Sequence, residues 1–214
     1  MKNTVIFDLD GTLMNTLDDL CDSTNYALTQ CGFKTRTYEE IRSFVGNGIR
    51  LLIERAVPSN AKKEEIDKCF TIFKEYYLAH SKIKTAPYPG VVDLLKTLKA
   101  KGYKTAIVSN KFQKGVDELV EEMFTGLVDV AVGERAGYKT KPDPDLVNIA
   151  IDALNIDKKD AIYVGDSDVD VLTAKNSNLD MVAVTWGFRD KDFLQTKGAT
   201  TFIDSPEQLL PLLD

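Results

Sequence analysis

Between Thr4-Val5-Ile6-Phe7, a β-branched run near the start of the chain, and the next comparable run, Thr105-Ala106-Ile107-Val108, no strand signal intervenes. That gap constrains the fold more than any other feature. A βαβ crossover needs only a dozen or so residues plus its helix, and this stretch is several times longer. It carries helical periods instead, such as Leu17-Leu20-Cys21-Thr24-Ala27-Leu28 and Ile66-Cys69-Phe70-Phe73-Tyr76-Tyr77. Beyond residue 89 the pattern changes. Apolar runs Val128 to Val132, Ala161 to Val164 and Met181 to Val184, with a weaker Thr201-Phe202-Ile203, read as strands. Helical patterns separate them: Val91 to Lys101, and Pro144 to Leu154 with its proline in the tolerant first turn. Such alternation implies an α/β fold, a parallel sheet covered by helices. The predicted organisation is a core of residues 1–13 and 87–214, interrupted by an α-helical domain at 14–86. Pro87-Tyr88-Pro89-Gly90 reads as the return hinge.

Composition narrows the function. The formal net charge is −6, so a general nucleic-acid binder, which needs basic patches against phosphates, is not expected. No apolar run approaches the roughly 18 residues of a membrane helix, and no signal peptide is evident, so the chain is read as cytoplasmic. The three cysteines, Cys21, Cys31 and Cys69, show no CxxC spacing and read as reduced, partly buried thiols. The inserted segment is nearly neutral, which leaves the excess of acids in the core, where carboxylates can gather a metal ion. Oligomeric state is not legible.

The chemistry concentrates at strand ends. Phe7-Asp8-Leu9-Asp10-Gly11-Thr12 follows the first strand directly, and open α/β sheets bind ligands at the carboxyl ends of their strands. Gly11 permits a sharp turn behind the acids. Carboxylates two residues apart can divide the work, one attacking phosphorus and the other trading a proton with the leaving group. Val108 leads into Ser109-Asn110, a hydroxyl and an amide able to bind phosphate oxygens. Lys141-Pro142 follows the third strand, and its ammonium can offset developing negative charge. The fourth strand ends Val164-Gly165-Asp166-Ser167-Asp168-Val169-Asp170. A helix starting between Asp166 and Asp170 brings both to one place, and hard oxygens there suit Mg²⁺.

Together these segments resemble the four motifs of the haloacid dehalogenase superfamily, and the insert falls where that superfamily carries a helical (type C1) cap. Val45-Gly46-Asn47-Gly48-Ile49-Arg50 and Thr185-Trp186-Gly187-Phe188-Arg189 are similar to stretches of phosphoglycolate phosphatases. The resemblance implies a Rossmann-like core and a small phosphorylated substrate. It implies Asp8 as nucleophile and Asp10 as general acid/base, with Ser109, Asn110 and Lys141 at the phosphoryl group. Mg²⁺ is then expected on the Asp8 carboxylate, the Asp10 carbonyl and Asp166, supported by Gly11, Thr12 and Asp170. Asn15 and Ser177-Asn178 depart from the usual Asp and Ala-Gly, away from the chemistry.

Rival readings fit less well. The dehalogenases lack the second aspartate of the first motif, here Asp10. Sugar-phosphate mutases of the superfamily carry a histidine near the position of Leu20, whereas the sole histidine is His80. A phospho-accepting receiver domain has no cap. His80 also leaves any Ser-His or Cys-His hydrolase without support, since it stands at a helix end where it meets carbonyls. Within the phosphatases, pyrophosphate, nucleotides and sugar phosphates stay open beside phosphoglycolate. Arg50, behind two glycines and ahead of Leu51-Leu52-Ile53, is the expected contact for a second substrate anion.

Overall fold

The computed structural model describes residues 2–213; residues 1 and 214, which bound the expected core segments, lie outside them. The chain divides into two compact units, one formed by residues 2–14 and 87–213 and the other by Asn15–Ala86.

In chain order the elements begin with β1 (Thr4–Phe7), β2 (Met14–Asn15), α1 (Leu17–Gln30), α2 (Tyr38–Phe44), α3 (Ile49–Ala56), α4 (Lys63–His80) and β3 (Ala86–Pro87). They continue through α5 (Val91–Ala100), β4 (Lys104–Phe112), α6 (Gln113–Met123), β5 (Val130–Glu134) and α7 (Asp145–Leu154). The last are β6 (Ala161–Gly165), α8 (Asp168–Ser177), β7 (Asp180–Val184), α9 (Lys191–Thr196) and β8 (Phe202–Ile203).

Six strands form one sheet in the order β5-β4-β1-β6-β7-β8, and each adjacent pair is parallel. β1 is central, with its apolar residues alternating between two cores. Val5 and Phe7 join Ile107, Val164 and the inner faces of α5 and α6. Ile6 points the other way, to Val108, Tyr163 and α7. A strand buried on both faces explains the unbroken apolar run. The chain leaves β1 for β4 and β5 on one side, then returns for β6, β7 and β8 on the other. The carboxyl end of β1 is therefore the topological switch point, where such sheets bind ligands.

Three expectations need correction. Met14 and Ala86 belong to the two-residue strands β2 and β3, which pair with each other but are too short to show any period. The third strand lies two residues later than the apolar run suggests, because Asp129 leads into it, its carboxylate accepting from the Thr105 N–H at 2.7 Å. Ser109 and Asn110 stand inside β4 rather than beyond it, where the register against β5 shifts between Val108 and Phe112.

In the second unit, α1 and α4 bury Leu20, Ala27, Leu28, Phe73 and Tyr77. Thr37 and Glu40 form a reciprocal capping box that starts α2. Asp19, almost fully buried, accepts from the backbone N–H groups of Lys84 (3.0 Å) and Thr85 (2.9 Å), tying the returning chain to α1. His80 Nδ1 lies 2.7 Å from the Tyr76 carbonyl. The three cysteines are free, and burial pushes the Cys21 and Cys69 thiols up to about 12.

Candidate active site

The loop after β1 is stitched to itself. The Leu9 carbonyl accepts from the N–H groups of Thr12, Leu13 and Met14, and Gly11 N–H donates to the Met14 carbonyl at 2.8 Å. Gly11 takes φ +90°, and a Cβ there would stand 2.4 Å from Asp166 Oδ2. Only glycine serves at this position. The turn leaves the Asp8 side chain at the switch point, nearly buried, with Oδ1 held by Leu9 N–H at 2.7 Å and by Lys141 Nζ at 2.8 Å. Among the described residues, Oδ2 receives no donor.

Asp166 follows β6. Its Oδ1 accepts from the Thr12 hydroxyl at 3.1 Å and its Oδ2 from Phe188 N–H at 2.7 Å. The Trp186 indole donates to the Thr12 carbonyl at 3.0 Å, so the Thr185-to-Arg189 segment fastens both the first loop and this acid. Asp170, on the first turn of α8, is saturated. Oδ1 accepts from Lys141 Nζ (2.8 Å) and Tyr163 OH (3.0 Å). Oδ2 accepts from Ser167 Oγ (2.6 Å), Ser167 N–H (3.0 Å) and Asp166 N–H (3.2 Å). With so many donors on it, Asp170 holds Lys141 and the start of α8 and has little left for a ligand.

Lys141 is placed by Asn110. That amide donates to the Lys141 carbonyl at 3.0 Å and accepts from the Lys141 N–H at 2.7 Å. Both ends of the Asn110 side chain, which the sequence suggested as a phosphate contact, clamp the lysine backbone. Ser109, buried beside it, accepts from Lys111 N–H at 3.1 Å and keeps its own proton to donate.

Electrostatics follow from the packing. Asp8, Asp166 and Asp170 each offer an oxygen within 4.8 Å of the others. Burial and the Asp170 charge push the Asp8 carboxyl well above the usual range, against the pull of Lys141. Burial and Asp170 likewise raise Asp166, to about 7. Burial would raise Asp170 too, but the Lys141 charge and hydrogen bonds from Lys141, Ser167 and Tyr163 hold it below the usual value. Burial acts to discharge Lys141, yet Asp170 and Asp8 keep its pKa well above that of a free lysine. Three carboxyl groups thus surround one ammonium, and ionising all of them would bury an excess of two negative charges. Uncompensated buried charge is costly, and a hard divalent cation on Asp8 and Asp166 would favour their charged forms.

Asp10 stands apart from that trio. Its carboxylate is partly exposed, and its Oδ1 lies 3.3 Å from Lys111 Nζ. Neither Lys111 nor Tyr163 emerges from sequence reasoning as a functional residue. Tyr163 reads as strand packing, and Lys111 as a surface lysine, although it directly follows Ser109-Asn110. Arg50 is engaged within its own unit, its guanidinium 2.7 Å from Glu54, 2.6 Å from Asp67 and over the Phe70 ring.

Known proteins resemble this chain in sequence and fold. Phosphoglycolate phosphatase 1 of Pseudomonas aeruginosa is 35% identical over 220 aligned residues, covering 100% of this chain and 80% of its own length. Phosphoglycolate phosphatase of Psychrobacter arcticus is 35% identical, covering 95% of this chain and 92% of its own. A crystal structure from Lactobacillus delbrueckii subsp. bulgaricus, provisionally named a phosphoglycolate phosphatase, superposes with TM-score 0.95 and 38% identity over 100% of this chain and 99% of that one. No helix among the described residues is long and apolar enough to cross a membrane. The family model for haloacid dehalogenase-like hydrolases matches residues 5–184, and the chain belongs to that family of enzymes.

Proposed function

We propose that this hydrolase is a Mg²⁺-dependent phosphatase that removes phosphate from a small, phosphoglycolate-like metabolite through an aspartyl-phosphate intermediate. One observation carries the reading: Asp8 at the switch point has one oxygen fixed and the other without a donor, beside a buried ammonium and a second acid with none of its own to spare. Asp8 Oδ2 attacks phosphorus, and the bond from phosphorus to the ester oxygen breaks. Lys141 Nζ, fixed by Asp170 and Asn110, and the Ser109 hydroxyl hold the phosphoryl oxygens as charge builds. Asp10 gives its proton to the departing oxygen, then takes one from the water that hydrolyses the acyl phosphate, restoring both acids and releasing inorganic phosphate. Asp8, Asp166 and the Asp10 carbonyl are the residues that would hold Mg²⁺, which when bound neutralises phosphoryl charge. Names of the relatives support the substrate class, and the cluster of acids supports the metal.

The test is Asp8→Asn. Hydroxylamine-sensitive phosphate should appear on the wild-type protein after rapid quench and be missing from the variant, with turnover down by orders of magnitude. Near-wild-type turnover in Asp8→Asn, deamidation excluded by mass, refutes the mechanism.

A further inference from the structure

We propose that Tyr163 is a positioning residue for the phosphoryl transfer. Its hydroxyl, set between Lys141 and Asp170, keeps the lysine ammonium shared between Asp170 and Asp8 and stops it from rotating. This inference rests on the phosphatase reading above. Packing alone does not call for a tyrosine here. The side chain is fully buried in the core beside Ile6, Val108, Leu146 and Ala174, where a phenylalanine ring fills the same space. The hydroxyl adds two polar contacts: it accepts from Lys141 Nζ at 3.1 Å and donates to Asp170 Oδ1 at 3.0 Å. Its proton has one direction open to it, because an ammonium only donates and an ionised carboxylate only accepts.

The geometry then fixes Lys141. Its Nζ stands 2.8 Å from Asp170 Oδ1 and 2.8 Å from Asp8 Oδ1. Asp170 Oδ1 and the Tyr163 oxygen are themselves only 3.0 Å apart, so at the nitrogen they subtend much less than the tetrahedral angle between two N–H bonds. One N–H therefore points between them. A second is drawn to Asp8, and the third is left for a phosphoryl oxygen. Three rigidly joined N–H bonds held in two directions do not turn. Charge works the same way. By donating to Asp170 Oδ1, the hydroxyl blunts the pull of that carboxylate on the ammonium, and the two acids hold it at equal distance. Without the hydroxyl, Lys141 loses an acceptor and Asp170 a donor; both changes draw the ammonium toward Asp170 and off Asp8, whose Oδ1 it anchors. The ring itself lies 5.8 Å from Nζ, a contact that phenylalanine keeps.

The experiment compares wild type with Tyr163→Phe at saturating Mg²⁺. With enzyme saturating and in excess over para-nitrophenyl phosphate or ethyl phosphate, the single-turnover rate constant does not depend on the folded fraction. It should fall about 10-fold for both esters, the scale of one charge-assisted hydrogen bond, because Lys141 and Asp8 act on phosphorus and not on the leaving oxygen. Nitrogen-15 relaxation of the Lys141 ammonium, assigned by its loss in Lys141→Arg, should show rotation about 10-fold faster in Tyr163→Phe. A merely structural tyrosine moves neither reading. Rate constants within about twofold of wild type, a loss confined to ethyl phosphate, or equal ammonium rotation in the two proteins overturns the proposal. If Tyr163→Phe does not fold, the wild type alone decides: a Lys141 ammonium rotating as fast as those of the exposed lysines overturns it. A wild-type protein that hydrolyses no phosphomonoester overturns the phosphatase reading itself, and the relaxation measurement still tests the hold of Tyr163 on Lys141.

Discussion

Replacing Asp170 by Asn tests whether the acid behind Lys141 is structural cement or a substitutable neighbour. The wild-type carboxylate accepts from five donors, two on Oδ1 and three on Oδ2. An asparagine of equal shape keeps one acceptor and turns an NH₂ toward either the ammonium of Lys141 or the N–H groups of Asp166 and Ser167. In each orientation donors face donors. Breaking one side of a buried ion pair costs about 3–5 kcal/mol. Relief counts on the other side, because Asp170 is the charge that most raises both Asp8 and Asp166. A net loss of about 2–4 kcal/mol follows from these opposed terms. For a chain of this size that lowers Tm by roughly 4–16 °C. Urea unfolding of both proteins at pH 7 without metal measures it. Carboxylate NMR should also place Asp166 lower in the variant. A loss under about 1 kcal/mol, or an unmoved Asp166 titration, refutes the argument.

Three further outcomes are expected. Asp166 sits at about 7 in the folded protein and near the ordinary carboxylate value when unfolded, so it binds a proton in the folded state alone between those limits; its contribution is full below the unfolded value and is lost as pH rises toward 7. Metal-free protein should therefore lose this stability from about pH 4 to 7, and saturating Mg²⁺ should abolish the decline in parallel urea titrations. Asp19→Ala strips acceptors from the buried N–H groups of Lys84 and Thr85; a cost of about 2–3 kcal/mol and faster hydrogen exchange at those two amides are the expected result. Gly187→Ala puts a Cβ 2.2 Å from Asp166 Cβ, and the backbone shift should cost about 1–3 kcal/mol and weaken Mg²⁺ binding measured by calorimetry.

Much of the core is legible in the chain because a parallel sheet buries its strands on both faces and so writes each as an apolar run. Asp8, Lys141, Asp166 and Asp170 converge because every one of them follows a strand on the same side of the sheet. Residues whose task depends on a partner far along the chain are not legible. Tyr163 is one apolar letter among four in β6, and nothing local announces that its hydroxyl reaches Asp170. The Asn110 amide looks free until Lys141 is folded against it. Ser109 and Asn110 look like a loop because a register shift has no composition of its own. Arg50 appeared to be a free cation because Asp67 meets it only once α3 and α4 pack, although Glu54 lies one helical turn on within α3 itself.

The central position of β1 also sets a timetable for synthesis. Its two hydrogen-bonded neighbours start at Lys104 and Ala161, so β1 leaves the ribosome well before either strand that completes it. At translation rates of about 5–20 residues per second, Thr4–Phe7 waits roughly 5–20 s for its first partner and 8–30 s for its second, apolar on both faces and open on at least one edge throughout. Pairings across such separations are slow and exposed to aggregation, whereas the helices of Asn15–Ala86 find their partners within their own interval. The nascent chain thus spends its most hazardous period with the strand that precedes Asp8 uncovered.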